Sequence, residues 1–332
     1  MLETDERYYK KLKAAYLVYK SNMTQQEAAT ILNISRPTLI KMLNEAIDEG
    51  IVTVQIRDVR NAESLADIET KLIAKFKIRD AIVVDCSSEN DKEEIIANIG
   101  AAAAKYFESL LKSKMTIGIS WGSTIEAFIS NLKENKNITD LKVVTLVGGM
   151  LYIESKYHAN ILAQRMLEKY DGRGYFLYAP TFASSKEEYK VWMQNKELRD
   201  ILEMGKKVDI AFVGIGASLM GYSELNKLLQ NIKISQYDKV GGINAQFLDI
   251  DGQLILDPNY KHDGKHSDEE HIKEINSLFI GVRLDDLKKN KFVVALAGGA
   301  EKHFAIRAAI LGGYVSVLVT DKYTAQFLLE PD

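Results

Sequence analysis

Four short stretches carry residue types that could bind a small anion. The richest is Phe292-Val-Val-Ala-Leu-Ala-Gly-Gly-Ala-Glu-Lys302, which runs on into His303-Phe-Ala-Ile-Arg-Ala-Ala-Ile310. It reads as an apolar strand, a glycine pair and a helix with a lysine in its first turn. Glycines let main-chain N–H groups approach a ligand, and a helix start adds positive potential. Similar passages occur at Met115-Thr-Ile-Gly-Ile-Ser-Trp-Gly-Ser-Thr124, Val143-Val-Thr-Leu-Val-Gly-Gly149 and Asp209-Ile-Ala-Phe-Val-Gly-Ile-Gly216. Gly122-Ser123-Thr124 offers N–H groups and two hydroxyls after a strand, which suits phosphate. Gly148-Gly149 and Gly298-Gly299 offer turn backbone, and Lys302 adds a cation. None is a P-loop, which needs Lys-Ser/Thr directly after its last glycine, and none has the spacing of a dinucleotide fingerprint. Strand ends that repeatedly meet helix starts predict a phosphate or sugar crevice at one edge of a parallel sheet.

Other reactive side chains are less organised. His158 precedes Ala159-Asn160 soon after the glycine turn at 148–149. It reads either as a ligand contact or as a satisfied histidine at a helix start. His262, His266 and His271 share a loop with Asp263, Asp268, Glu269 and Glu270. That loop has little apolar sequence to fix ligand geometry, so it reads as solvated polar chain, not a metal site. No His-Glu-x-x-His appears. The single cysteine, Cys86, rules out an intramolecular disulfide framework and a cysteine-rich zinc site. It reads as a small buried residue at a strand end. No metal, cofactor or catalytic group is expected.

The first fifty residues carry a different chemistry. Glu6 to Lys20 has Tyr8, Leu12, Ala15, Tyr16 and Tyr19 at helical spacing. Thr24-Gln-Gln-Glu27 is a capping box that opens a short helix to Leu32. Asn33 sits at the turn, where a left-handed backbone is often needed. Ser35 then caps a third helix, with Pro37 in its first turn. The expected inner face is Leu39, Met42 or Leu43, Ala46 and Ile47, and Gly50 ends the helix. Two capped helices joined by so short a turn predict a helix-turn-helix, whose second helix lies in a DNA major groove. Its base-facing candidates are Ser35, Arg36, Thr38 and Lys41, with Asn44 a turn further on. Thr24, Gln25 and Gln26 are placed for phosphate oxygens.

These parts need a frame. The chain has 332 residues, 46% of them hydrophobic and 27% charged, which predicts a globular protein of two or three domains. The net charge of −3 divides into +1 over residues 1–60 and −4 over the rest, so nothing in the overall charge demands nucleic acid. The charged start contains no apolar leader, and no apolar run approaches a membrane span, so a cytoplasmic protein is expected. Residues 51–60 read as a strand or extended connector. Residues 61–78 read as a linking helix that either carries an oligomer contact or packs on the large domain. Beyond Ala81, strands are expected near 81–86, 115–119, 142–147, 175–178, 208–214, 279–282, 292–297 and 315–319. Helices lie between several of them, such as Glu93–Lys112 and His158–Lys169. This alternation predicts a parallel sheet covered on both faces. Asp251-Gly252, between apolar alternations, is a hairpin signal. The expected layout is a helix-turn-helix domain over 1–55, a linker over 56–80 and an α/β domain over 81–332.

Both halves together resemble the SorC family of bacterial sugar-responsive transcriptional regulators, the branch that includes the deoxyribonucleoside and central glycolytic gene regulators. The resemblance covers almost the whole chain. At the front it is carried by Gln25-Gln-Glu-Ala-Ala-Thr-Ile-Leu-Asn-Ile-Ser-Arg-Pro-Thr38. At the back it is carried by Ile117-Gly-Ile-Ser-Trp-Gly-Ser-Thr124, Val147-Gly-Gly149, Ala159-Asn160, Ala179-Pro180, Val213-Gly-Ile-Gly216, Ala297-Gly-Gly-Ala-Glu-Lys302 and Val317-Leu-Val-Thr-Asp321. It implies a large domain similar in fold to sugar-phosphate isomerases that binds a sugar phosphate without catalysis. It also implies a homodimer or homotetramer on operator DNA, with no membrane partner.

Carried over residue by residue, the resemblance puts Gly122, Ser123, Thr124 and Lys302 at phosphate, and His158 and Asn160 near the sugar. Gly148, Gly149, Gln246 and Gly299 complete the candidate effector set. The sequence departs from the family at Gly241-Gly242, where an acidic residue often follows the first glycine. It departs again at Val147, an arginine in some members, and at Gln246, where arginine or an aromatic is common. These departures argue against a bisphosphate. The expected function is a sugar-phosphate-responsive regulator of a carbohydrate operon. The alternatives are a sugar-phosphate isomerase or deaminase with a helical appendage, and a helical module that binds a protein.

Overall fold

The computed structural model describes residues 2–53, 64–150, 153–217, 241–254, 277–290 and 292–331. The connector expected at 51–60 falls largely outside them, as does the histidine-bearing loop at 257–274. The chain divides into two compact units, Met1–Ser64 and Leu65–Asp332.

The first unit is built on three helices, α1 (Leu2–Ala15), α2 (Gln25–Ile31) and α3 (Arg36–Asp48). The capping box forms as read: the Thr24 hydroxyl accepts from the Glu27 N–H, and the Glu27 carboxylate accepts from the Thr24 N–H at 2.8 Å. Ser35 caps α3 by accepting from the Thr38 N–H at 3.2 Å. Asn33 turns the chain with φ 54°, a left-handed conformation that Asn tolerates. Small residues let the helices approach: Ala14, Ala15, Ala28 and Ala29 bury against Leu39 and Leu43. Leu43, not Met42, fills the inner face of α3, and Ile47 is 40% exposed. Lys11 is buried, with its ammonium on the Glu49 carboxylate.

The second unit is an α/β layer structure. Helix α4 (Leu65–Phe76) leads into β1 (Asp80–Val84), α5 (Lys92–Leu110), β2 (Thr116–Ile119), α6 (Ser123–Asn131), β3 (Leu141–Thr145), α7 (Ala159–Lys169) and β4 (Gly172–Tyr175). Then come α8 (Lys186–Gln194), α9 (Lys196–Gly205), β5 (Ile210–Ala217), β6 (Gly241–Ile243), β7 (Gln246–Leu248), the short α10 (Leu284–Leu287), β8 (Val293–Leu296), α11 (His303–Leu311), β9 (Val317–Asp321) and α12 (Lys322–Leu329). Seven strands pair in the order β1-β9-β8-β5-β2-β3-β4, all parallel, and the β6–β7 hairpin joins the end of β5 antiparallel.

Both faces of the sheet are covered. One core gathers Ile68 and Leu72 of α4, Leu198 and Leu202 of α9, Ile306 of α11 and Leu328 of α12. The other gathers α5, α6 and α7 around Phe107, Phe128, Phe212 and Tyr170. The helix read at 61–78 thus packs into the second unit, the packing alternative of that reading. The segment 279–282 is not a strand. It makes isolated bridges, Phe182 with Phe279 and Val147 with Gly281. The fourth strand lies at 172–175, three residues before its expected place, where Gly172 tolerates close approach to Leu141 of β3 and Gly174 makes room for the Phe176 and Leu167 side chains.

The expected turn at Asp251-Gly252 is present, with Gly252 at φ 78° and a bridge between Leu248 and Leu254. A second turn, Asn244-Ala245, precedes it and closes the β6–β7 hairpin, with both residues at positive φ (50° and 60°). A tight hairpin that matches the strand twist requires this, but Asn-Gly is its usual sequence.

Candidate functional site

From β2 the chain steps through β3 to β4 on one side of the sheet, and from β5 through β8 to β9 on the other. The steps diverge between β2 and β5, which pair side by side. In open parallel sheets the ligand crevice lies at the strand C-terminal ends where the winding reverses. A cavity of about 660 Å³, including its open mouth, lies there. Its floor is Trp121-Gly-Ser-Thr-Ile125 after β2 and Gly214-Ile-Gly216 in β5, and its wall is Gly242, Asn244, Ala245, Phe247 and Lys302.

The α6 end of the cavity is a helix start without a side-chain cap. Gly122 is the N-cap at φ 120°, and no side chain caps the helix. A Cβ at Gly122 would meet nothing within 4 Å, so the space beside this backbone is open. Asp91 caps α5, Ser185 α8, Asn195 α9 and Asp321 α12 through their side chains, whereas α7, α10 and α11, like α6, have none. The first N–H groups of α6 therefore have no side-chain cap at the place where the chain borders a cavity. Lys302, the last residue of a 3-10 turn (Ala300–Lys302), lines the same cavity. Burial holds its ammonium below the usual lysine range, Glu301 pulls it back up, and Lys92 pushes it down again. Glu301 itself is paired with Lys92 at 3.1 Å. A phosphate between the α6 start and Lys302 would meet N–H groups, two hydroxyls and one cation.

The other candidate residues take different places. Gly148 and Gly149 have already donated their N–H groups, to Ile280 O at 3.3 Å and Ala179 O at 2.8 Å. The Thr181 hydroxyl donates to both their carbonyls, and a Cβ on Gly148 would lie 2.5 Å from Ala179 O. Glycine here serves the close approach of segment 179–181. His158 is the N-cap residue of α7 but makes no cap bond through its side chain. Asn160 donates to Leu177 O at 3.3 Å and leaves its Oδ1 buried without a partner. Gln246 is buried, with its amide nitrogen on Val282 O and its oxygen accepting from Leu284 N, both at 3.2 Å. It ties β7 to the 282–284 segment. The Gly299 N–H, at φ 98°, donates to Asp321 Oδ2 at 2.8 Å and Thr324 Oγ1 at 3.1 Å, which docks the 298–302 turn on the start of α12.

The structure adds Trp121, Ile215, Asn244, Ala245 and Phe247 to the site. Asn244 had a signal that went unused, since Asn is at home in a left-handed turn; the apolar residues had none. Among the described residues, no group of three or more His, Cys, Asp or Glu could hold a metal ion.

The DNA-binding candidates lie at the start of α2 (Thr24, Gln25 and Gln26) and along α3 from its N-cap (Ser35, Arg36, Thr38, Lys41 and Asn44). Thr24, Gln26, Ser35, Arg36, Thr38, Lys41 and Asn44 are exposed, and Gln25 is half-buried. Gln25 Oε1 accepts from Arg36 Nε and Nη2, both at 3.4 Å. Thr24 and Ser35 spend their hydroxyls on helix caps and on the neighbours Glu27 and Thr38.

A parallel sheet with a crevice at its switch point, preceded by a capped helix pair, defines an α/β protein with a helix-turn-helix module. Residues 60–330 match the family described as "Putative sugar-binding domain", and the chain belongs to that family. It is 27% identical over 329 residues to the deoxyribonucleoside regulator of Bacillus subtilis, covering 98% of each chain. The full-length sorbitol operon regulator SorC from Klebsiella pneumoniae superposes with a TM-score of 0.68 at 25% identity, over 98% of this chain and 100% of that one. A DeoR family transcriptional regulator from Listeria monocytogenes matches at 30% identity and a TM-score of 0.66, over 80% of this chain and all of the other. No described helix is long and apolar enough to cross a membrane.

Proposed function

We propose that this protein is a transcriptional regulator of a sugar or nucleoside operon whose DNA affinity is set by a phosphorylated sugar. The observation that carries the reading is the uncapped start of α6 sharing one cavity with Lys302, in a chain that also holds an exposed helix-turn-helix face. In this reading Gly122, Ser123, Thr124 and Lys302 bind the phosphate. Arg36, Thr38 and Lys41 read base edges or phosphates, and Gln25 orients the Arg36 guanidinium. The deoxyribonucleoside and sorbitol operon regulators it resembles support the reading as an operon regulator. Two copies on a dyad operator would give each helix-turn-helix one half-site, so a homodimer or homotetramer in the cytoplasm is the working form. The ligand acts by binding the DNA-competent and incompetent arrangements with different affinity.

The test is fluorescence anisotropy on DNA from upstream of its own and neighbouring genes, at fixed salt, with and without a panel of sugar phosphates. Selective binding to one fragment that one sugar phosphate shifts is expected. Turnover of a sugar phosphate with no selective DNA binding would replace this reading with an enzyme.

A further inference from the structure

We infer that Asn244 selects the sugar portion of the ligand: its side-chain amide nitrogen donates to a sugar oxygen while the α6 start and Lys302 take the phosphate. The assignment rests on the sugar-phosphate reading above and adds to it a residue that reads the sugar. Asn244 lines the cavity and is only 2% exposed. Its Oδ1 accepts from the Ser120 hydroxyl, while its Nδ2 is buried with no hydrogen-bond partner among the described residues. Buried amide donors are nearly always satisfied, so an orphan beside a cavity calls for an acceptor. Ser120 is itself fixed, because its N–H donates to Phe212 O at 3.0 Å in the β2–β5 pairing. The Asn244 amide is therefore held at its oxygen end and vacant at its nitrogen end.

Asn244 and Ala245 are the two left-handed residues of the turn that closes the β6–β7 hairpin, at φ 50° and 60°, so the hairpin fixes where the Asn244 side chain begins. The cavity wall contains no carboxylate among the described residues. A sugar there meets hydrogen-bond donors and apolar surface from Trp121, Ile215 and Phe247, not acidic acceptors. The oxygen facing Asn244 thus serves as an acceptor, and a deoxy sugar lacking it leaves the amide orphaned. Sites that must pair a buried polar group discriminate strongly against analogues that cannot do so.

The experiment uses the full chain and isothermal titration calorimetry with inorganic phosphate and with paired sugar phosphates differing by one hydroxyl. Asn244→Gly deletes the amide and suits the left-handed backbone. Asn244→Asp keeps the acceptor for Ser120 but replaces the donor with an oxygen, which covers the case where the glycine variant fails to fold. The best sugar phosphate is expected to lose on the order of ten- to a hundredfold in affinity in either variant. In Asn244→Gly, inorganic phosphate is expected to lose much less, so the preference for the hydroxylated member of the pair collapses. Sugar-phosphate affinity and preference unchanged within about twofold in either folded variant would overturn the assignment. If no sugar phosphate binds the wild-type protein better than inorganic phosphate does, the sugar-phosphate reading itself falls, and Asn244 with it.

Discussion

Lys302 and Arg36 are the two side chains on which the proposed chemistry most depends, and they differ in exposure. Lys302 sits in a cavity where burial depresses its pKa. The charged form exists below that pKa, so phosphate affinity should fall as pH rises through a range lower than an ordinary lysine requires. A phosphate monoester is fully ionised above about pH 8, so calorimetric titrations from there upward isolate the lysine. Lys302→Arg should flatten the profile, because guanidinium stays charged. Lys302→Met should cost on the order of ten- to a hundredfold in affinity, as expected for a charge-assisted hydrogen bond. A flat wild-type profile would remove the ammonium from the phosphate site. Arg36, by contrast, is exposed, and its guanidinium hydrogen-bonds to Gln25. Arg36→Ala should weaken operator binding by about 1–3 kcal/mol and relax preference at one base pair, read by anisotropy on operator variants. Both residues were legible in the sequence because cations beside helix starts follow local rules. Asn244 was not, because its importance comes from the Ser120 contact across 124 positions of chain.

At the scale of elements, alternation predicted the parallel sheet, but not which turns face ligand and which merely pack. Gly148-Gly149 and Gly298-Gly299 look alike in sequence. In the fold Gly148 and Gly149 give their N–H groups to Ile280 and Ala179, and Gly299 gives its own to Asp321 and Thr324, but only the second turn carries a cation, Lys302, to the cavity. The difference lies in non-local placement, which composition does not encode. Helix α4 shows the same limit. Its apolar spacing was visible, but its attachment to the sheet edge was not. There the Glu69 carboxylate accepts from the Val83 N–H of edge strand β1 at 2.8 Å. Burial raises the Glu69 pKa, the Val83 bond opposes this, and Asp80 adds to the rise. A carboxyl whose pKa is raised by folding binds its proton more tightly in the native state. Its contribution is complete below the unfolded value, near pH 4.3, and is lost as pH climbs through the folded value. Wild-type stability in urea should therefore carry a downward component from Glu69 above about pH 4.3. Glu69→Gln, which keeps an acceptor for Val83, should remove that component. Identical pH profiles for the two proteins would show that the carboxyl does not titrate as placed.

For the whole molecule, the sequence showed two chemistries on one chain, and its net charge of −3 concealed the DNA-binding one. What local sequence could not express is how the two are coupled. The coupling is a free energy shared by two sites, so it obeys reciprocity: if a sugar phosphate changes operator affinity by some factor, operator DNA must change sugar-phosphate affinity by the same factor. Regulatory couplings of this kind are typically about 5- to 150-fold, large enough to measure from both directions. Calorimetric titration of the sugar phosphate into free protein and into a saturated operator complex gives one factor. Anisotropy with and without saturating sugar phosphate gives the other. Both must share one salt concentration, because phosphate contacts make DNA affinity fall steeply with ionic strength. Equal factors are expected, and Lys302→Met and Arg36→Ala should each weaken one titration directly. If the sugar phosphate lowered operator affinity while the operator left sugar-phosphate affinity untouched, the release would come from a process outside the two-site equilibrium, such as loss of folded protein, and the crevice would not be the regulatory site.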